Sequence, residues 1–431
     1  MSPRTTRYLV SCYLAVFAAL CPYANAQQAK AAPVSLEQYL RASAVSKQVL
    51  DTFLDPNQLS WAKFDPELGY HLGNYFPRDG IDGSSTISTV HKTGARTAHV
   101  YVDRACRINT YGNSFTQCHQ VSDGETWQEY LAAHLGEPVR NFGMGGHGVY
   151  QAYRRMMREE KGPRGGEYVI LYIWGDDHFR SLLRCRHVLI YRWWDQAGGK
   201  LFHNNPWSHV EMDLERGRIV EKENLLPTPE LLYRMTDPEW MYQNLKDDLA
   251  MQIALFSRGL TTDLDWPKVE RLAAILRTDP IDRSTAEKEK EGLRRLLDKY
   301  SYAATEYILE LARDFTSGAG KKLLVVLNDP RNYRSLVESG TRADQEIVDF
   351  LKQNNFLYFD MNLVHVEDYK KNYKIPFADY VKRYLMPHYN PAGNHFFAYS
   401  IKDTIVNWLV PKPVTYRENR DAMVEFTGYI E

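Results

Sequence analysis

Four short runs bring together residue types that can do chemistry. Gly112-Asn113-Ser114-Phe115-Thr116 presents a hydroxyl between a glycine and a polar neighbour. Asn141 to Gly148 holds four glycines and His147. Gly175-Asp176-Asp177-His178 concentrates ionisable groups, and His388-Tyr389-Asn390-Pro391-Ala392-Gly393 sets a histidine near the C-terminus. A serine hydroxyl next to an imidazole base is the basis of covalent acyl transfer, and glycine-rich backbone offers N–H donors to a developing anion. Taken singly, Ser114 is equally a helix cap and His388 a surface histidine. Only their placement in a fold distinguishes the two readings.

The first three runs each follow a segment that reads as a strand: Arg107–Tyr111, Val139–Phe142 and the continuous apolar run Tyr168–Trp174. Such a run suits a strand buried on both faces of a parallel sheet. Helices are expected over 123–135, with Gly136 as terminator, and over 149–160. A long interruption runs from about 179 to 300, with an aromatic group (Tyr191, Trp193, Trp194, Trp207), a hairpin near Glu215–Arg218 and a solvated helical face at Glu287–Glu291. Alternation resumes with a strand over 322–327, a helix near 344–353, a strand over 356–361 and a last helix over 394–409. Five strands separated by helices predict an α/β fold, a three-layer α/β/α, flavodoxin-like doubly wound parallel sheet with a long insertion after strand three. In such sheets ligands sit beyond the carboxyl ends of the strands, where the chemical runs fall.

The chain has 431 residues, 53 Lys and Arg against 54 Asp and Glu, and 44% hydrophobic residues. That balance gives no basis for electrostatic nucleic-acid binding. Residues 1–26 resemble a secretory signal, with Arg4 and Arg7, an apolar run from Tyr8 to Cys21 and Ala24-Asn25-Ala26 as cleavage site. The run is too short to span a bilayer, and no later stretch is apolar enough, so no integral membrane segment is expected. Removing residues 1–26 takes away two arginines and no acid, leaving 51 basic and 54 acidic residues. A secreted, periplasmic or extracellular location follows. Of the remaining cysteines, Cys106 and Cys118 are the local choice for a disulfide, with Cys185 free. The expected organisation is a signal over 1–26, a lead-in region over 27–100 containing a helix near 35–53, an α/β domain over 101–415 with its insertion at 179–300, and a tail over 416–431.

The runs resemble the SGNH (GDSL-like) hydrolases. Gly112-Asn113-Ser114 is similar to that family's Gly-Asp-Ser block with Asn in place of Asp; Asn141 to Gln151 is similar to its glycine block; and His388-x-Asn390-x-x-Gly393 is similar to the block that carries its histidine. The resemblance covers about 107 to 410. It implies ester hydrolysis, with Ser114 as nucleophile, His388 as base, and the N–H groups of Ser114 and Gly146 in the oxyanion hole. The third oxyanion donor of the family, an Asn side chain, corresponds here to Asp176. A carboxylate donates only when protonated, so Asp176 is either protonated, turned away, or paired with His178 or Arg180. Asn113, His147 and Asn390 are expected at the substrate. The Asp that commonly stands three residues before the family's histidine is Leu385 here. A backbone carbonyl, Asp360, Asp368 or Asp379 is left to orient His388.

Gly143-x-Gly145-x-x-Gly148 also spells a dinucleotide fingerprint, but it follows the second strand and lacks the acidic residue about 20 positions on. His395 lacks the glycine that follows His388. The histidines fit no zinc spacing, so neither metal nor cofactor is expected. The reading is a secreted serine esterase acting on an O-acetyl or short acyl ester of a small molecule or glycan. An O-acetyltransferase would use the same residues. A non-catalytic glycan-binding protein on this fold is the reading from another class. Trp193, Trp194 and Trp207 either stack on sugar rings or form the core of the insertion.

Overall fold

Five apolar segments pair side by side in the computed structural model, which describes residues 32–92, 94–192 and 199–417. They are β1 (Ile108–Tyr111), β2 (Val139–Asn141), β3 (Tyr168–Ile173), β4 (Lys322–Leu327) and β5 (Tyr358–Asp360). All neighbours are parallel, in the order β2-β1-β3-β4-β5. The protein is therefore mixed α/β with a central parallel sheet flanked by helices. Strand order reverses between β1 and β3, so their carboxyl ends open the crevice that such sheets use for ligands.

β3 shows why the sheet is central. Every residue from Tyr168 to Ile173 is buried, and the side chains alternate between two cores. Val169, Leu171 and Ile173 pack with the helices Val149–Glu160, Ala286–Gly318 and Gln345–Gln353. Tyr168, Ile170 and Tyr172 pack with Trp127–Leu135 and Pro391–Trp408 on the other face. Each fully buried aliphatic side chain contributes about 1.5–3 kcal/mol. The sheet thus has helices on both faces, and its loops are held by a rigid base.

Local sequence signals set most boundaries. Thr126 caps Trp127–Leu135 and Gly136 ends it in the left-handed conformation. The stretch from Asp123 to Glu125, expected as the start of that helix, is a separate 3₁₀ turn. The helix expected near 35–53 is two, Leu36–Ala42 and Lys47–Leu54, because Ser35 and Ser46 each cap a new start. The hairpin forms between His209–Asp213 and Arg218–Lys222. The charged run from Glu287 to Glu291 lies in the first turns of the helix Ala286–Gly318, which continues beyond 300.

The lead-in and the insertion share one core. Tyr39, Leu50, Phe53, Trp61 and Tyr70 pack with Leu183, Val188, Phe202, Trp207 and Met251. Trp207 is fully buried and its indole N–H donates to the Leu183 carbonyl at 2.6 Å. It belongs to the core and offers no ring face to a sugar. Trp193 and Trp194 lie outside the described residues, as do the signal-like segment and most of the tail. Among the described residues no helix is long and apolar enough to cross a membrane.

The expected Cys106–Cys118 bridge is absent, because all three thiols among the described residues are free. Cys118 turns inward to Gln128 Oε1 at 3.3 Å, while Cys106 lies against the Ile108 and Pro138 carbonyls. Burial pushes the thiols of Cys118 and Cys185 up to about 12, so both are inert. A chain lacking residues 1–26, denatured without reductant, is expected to titrate three thiols with a chromogenic disulfide reagent. One thiol would mean that a bridge had formed.

Candidate active site

The turn that carries Ser114 is built from three residues. Gly112 has φ +153°, and a Cβ there would lie 2.6 Å from the Tyr172 carbonyl oxygen, so only glycine fits. Asn113 then caps the short helix Ser114–Gln117, its Oδ1 accepting from Phe115 N–H at 2.8 Å. Its Nδ2 donates to Asp177 Oδ2. Asp177 also accepts from Trp174 N–H at 2.8 Å and from Arg180 Nη1 at 3.0 Å, tying the loop after β3 to the loop after β1. Burial raises the Asp177 pKa to about 7 against the opposing effects of Arg180 and the Asn113 amide. Asn113 is buried with both polar atoms used, so it holds the turn and does not contact a substrate.

Ser114 meets His388 across 274 residues of sequence, with Oγ 2.8 Å from His388 Nε2. His388 sits on the reverse turn before the helix Pro391–Trp408, where Met386 N–H donates to its carbonyl at 2.9 Å. Asn390 caps that helix through Gly393 N–H at 2.8 Å, and its Nδ2 donates to the Arg383 carbonyl at 3.0 Å. Asn390 is therefore a positioning residue for the histidine loop, not a substrate contact.

The group that orients His388 is Gln120. Its Oε1 lies 2.9 Å from His388 Nδ1 and accepts from His388 N–H at 3.2 Å. A backbone N–H can only donate, which assigns Oε1 as the carbonyl oxygen. Nδ1 therefore carries the proton, and the Nε2 lone pair faces Ser114. Gln120 Nε2 donates to the Asp79 carbonyl at 3.3 Å, which fixes the amide. Gln120 has φ +72° and Cys118 φ +60°; this double left-handed bend carries 119 and 120 back toward the histidine.

The carboxylates considered for this role are occupied elsewhere. Asp360 binds Arg342, Asp368 binds Tyr380 and Tyr384, and Asp379 pairs with Lys382 on the surface. Leu385 is buried in the core. The Asp79 carboxylate instead holds His119 Nε2 at 3.2 Å, and the His119 ring stacks between Trp61 and His388, 5.1 Å from the latter. Burial, with the neighbouring His119 and Arg180, holds His388 well below the ordinary histidine range. It is a neutral base at pH 7.

The glycine loop is legible from its N–H groups. Gly143 donates to Asn141 Oδ1, Met144 to the Gly112 carbonyl, Gly145 to Gln117 Oε1, His147 to the Met144 carbonyl and Gly148 to Gln151 Oε1. Among the described residues, the Gly146 N–H is left without an acceptor. Gly146 has φ +82°, and a Cβ there would be 2.6 Å from both Arg186 Nη1 and Tyr70 Oη. The Ser114 N–H opens a helix, where no intrahelical acceptor exists. His147 is buried behind this loop with Nε2 3.2 Å from the Tyr70 carbonyl, and burial pushes it down to about 3. It cannot reach a substrate.

Asp176 is not placed as a donor. Its carboxylate lies 2.8 Å from Arg331 Nη2 and 3.8 Å from Arg180 Nη2. Burial raises its pKa, but the charges of Arg331 and Arg180 outweigh that and hold it below the usual carboxylate range. An ionised Asp176 has no proton to offer an oxyanion. His178 faces away, with Nδ1 2.8 Å from Thr305 Oγ1, and His395 is exposed on the last helix.

No protein-family model matches the chain, and no curated protein matches it. Among the described residues no group of three His, Cys, Asp or Glu is arranged to hold a metal ion.

Of the groups at the site, Gln120 is the one the sequence does not announce. An amide a few residues past the serine carries no titratable signature, and the bend that turns it is invisible without coordinates. In a ¹⁵N-resolved titration, His388 is expected to remain the Nδ1-protonated neutral tautomer down to well below pH 6.5. Titration at the ordinary histidine value would contradict the geometry.

Proposed function

We propose that the protein is a serine esterase that cleaves O-acetyl or other short acyl esters through a covalent intermediate on Ser114. The observation that carries this reading is the unbroken line from Ser114 Oγ to His388 to Gln120. Ser114 Oγ attacks the ester carbonyl and gives its proton to His388 Nε2. The N–H groups of Ser114 and Gly146 receive the oxyanion. Collapse breaks the bond to the alcohol, which leaves with the proton from His388. Water then repeats the sequence on the acyl-enzyme and restores the serine. His388, held neutral, accepts a proton over the whole neutral range.

The likeness to SGNH hydrolases supports the same reading, with Gln120 in the place where that family commonly uses an acid. The features of residues 1–26 support export, and a glycan ester suits an exported esterase. Asp176 at the donor position and the missing acid before His388 are what would favour the non-catalytic alternative. Gln120 takes over the second of these roles, and a neutral histidine bonded to a serine suits turnover better than simple binding.

Release of p-nitrophenol from p-nitrophenyl acetate tests the reading. Ser114→Ala is expected to lower turnover by roughly 10³-fold or more with folding intact by circular dichroism. Gln120→Ala frees the imidazole to rotate and to change tautomer, and is expected to lower kcat on the order of 10²-fold. A Ser114→Ala variant as active as the wild type would remove Ser114 from the mechanism.

A further inference from the structure

The position that ought to supply a third oxyanion donor holds an ionised carboxylate, while a guanidinium lies against Gly146. Arg186 reaches the glycine loop from the start of the insertion. Its Nη1 lies 2.6 Å from where a Cβ on Gly146 would stand, and Tyr70 Oη is the same distance from that point. Tyr70 is anchored by donating to the Gly145 carbonyl at 2.9 Å. Arg186 therefore lies over the α-carbon of the one residue in this loop whose N–H has no acceptor among the described residues.

Its charge is not spent on a carboxylate. Arg180 is paired with Asp177 at 3.0 Å, and Arg331 with Asp176 and Asp329 at 2.8 Å each. Among the described residues Arg186 forms no ion pair. Its charged neighbours are Arg180, which repels it, and Asp176 and Asp177, which attract it without reaching salt-bridge distance; the phenol of Tyr70 and the ring of His203, both neutral, lie beside it. Burial lowers its pKa to about 10, so it stays charged at neutral pH. A half-buried, unpaired guanidinium is costly to keep, and a negative charge that arises beside it offsets that cost.

We propose that Arg186 donates to the oxyanion of the tetrahedral intermediate, beside the Gly146 N–H, in place of a neutral side-chain amide. The inference rests on the esterase reading. No new bond is made or broken by Arg186: it keeps its proton throughout and supplies a charge-assisted hydrogen bond that strengthens as the carbonyl oxygen becomes an anion. The same guanidinium would bind a fixed negative charge on the substrate if it stood away from the carbonyl, and the test separates these roles.

Arg186→Gln and Arg186→Lys are compared with the wild type on neutral p-nitrophenyl acetate and on the anionic mono-p-nitrophenyl ester of succinic acid. The Gln variant is expected to lose roughly 10²–10³-fold in kcat on both esters, with KM little changed. The Lys variant, which keeps the charge, should recover at least about tenfold of that loss. Binding of an alkyl boronic acid, which forms an anionic tetrahedral adduct on the serine, should weaken in parallel with kcat in each variant. That parallel is not expected of a residue that only supports the loop, and the folded Lys variant carries the comparison if the Gln variant does not fold. Normal kcat on the acetate ester, with a defect confined to the succinate ester, would overturn the proposal in favour of a substrate-charge site. So would unchanged boronate affinity. A wild type with no esterase activity would instead remove the underlying reading, and this proposal with it.

Discussion

The site depends on a line of polar groups that must stay in order: the Ser114 hydroxyl, the His388 ring, the Gln120 amide and the Asp79 carbonyl. Each group fixes the next. The Asp79 carbonyl determines which end of the amide faces the histidine, the amide determines which ring nitrogen carries the proton, and the ring presents its lone pair to the serine. The four residues come from the lead-in, the turn after β1 and the loop before the last helix. Their alignment is a tertiary property, and the sheet beneath them exists to keep it.

Charge is arranged with the same economy. Around the carboxyl ends of β3 and β4, Asp177 is bound to Arg180 and Asn113, and Asp176 and Asp329 share Arg331. These pairs join the loops of three strands, so they act as cross-braces between segments far apart in sequence. In the proposed reaction the same pairs would keep these carboxylates from repelling an anion formed at Ser114. The lead-in and insertion complete the enclosure: Trp61, Tyr70 and Trp207 build one core from both segments and present Tyr70 and Arg186 to the glycine loop.

How much was legible in the sequence follows from the range of each interaction. The five strands and the helix Val149–Glu160 could be read because they depend on local periodicity and caps. Ser114 and Gly146 are placed by the strands they follow, whose carboxyl ends converge at one edge, whereas His388, on the turn before the last helix, is placed only by the resemblance of its block. Asn113, His147 and Asn390 depart from the substrate roles expected of them for a shared reason. Polar residues next to a reactive group are often consumed in building it, and a cap or a buried bond leaves the same trace as a substrate contact. Asp176 was ambiguous because its partner, Arg331, lies far along the chain, beyond the whole insertion. The Cys106–Cys118 pairing is expected from export and short separation, neither of which senses the left-handed turn at Cys118 that sends that thiol into the core. Gln120 and Arg186 carried no pattern at all, since their meaning comes only from what they face.

The central claim is that this geometry makes one serine of the chain a nucleophile. It is tested most directly by treating the folded protein with a fluorophosphonate and mapping the adduct by mass spectrometry. The account predicts a single adduct on Ser114, formed at pH 7 and absent after denaturation. An unmodified Ser114, or an adduct formed equally well on another serine, would contradict it.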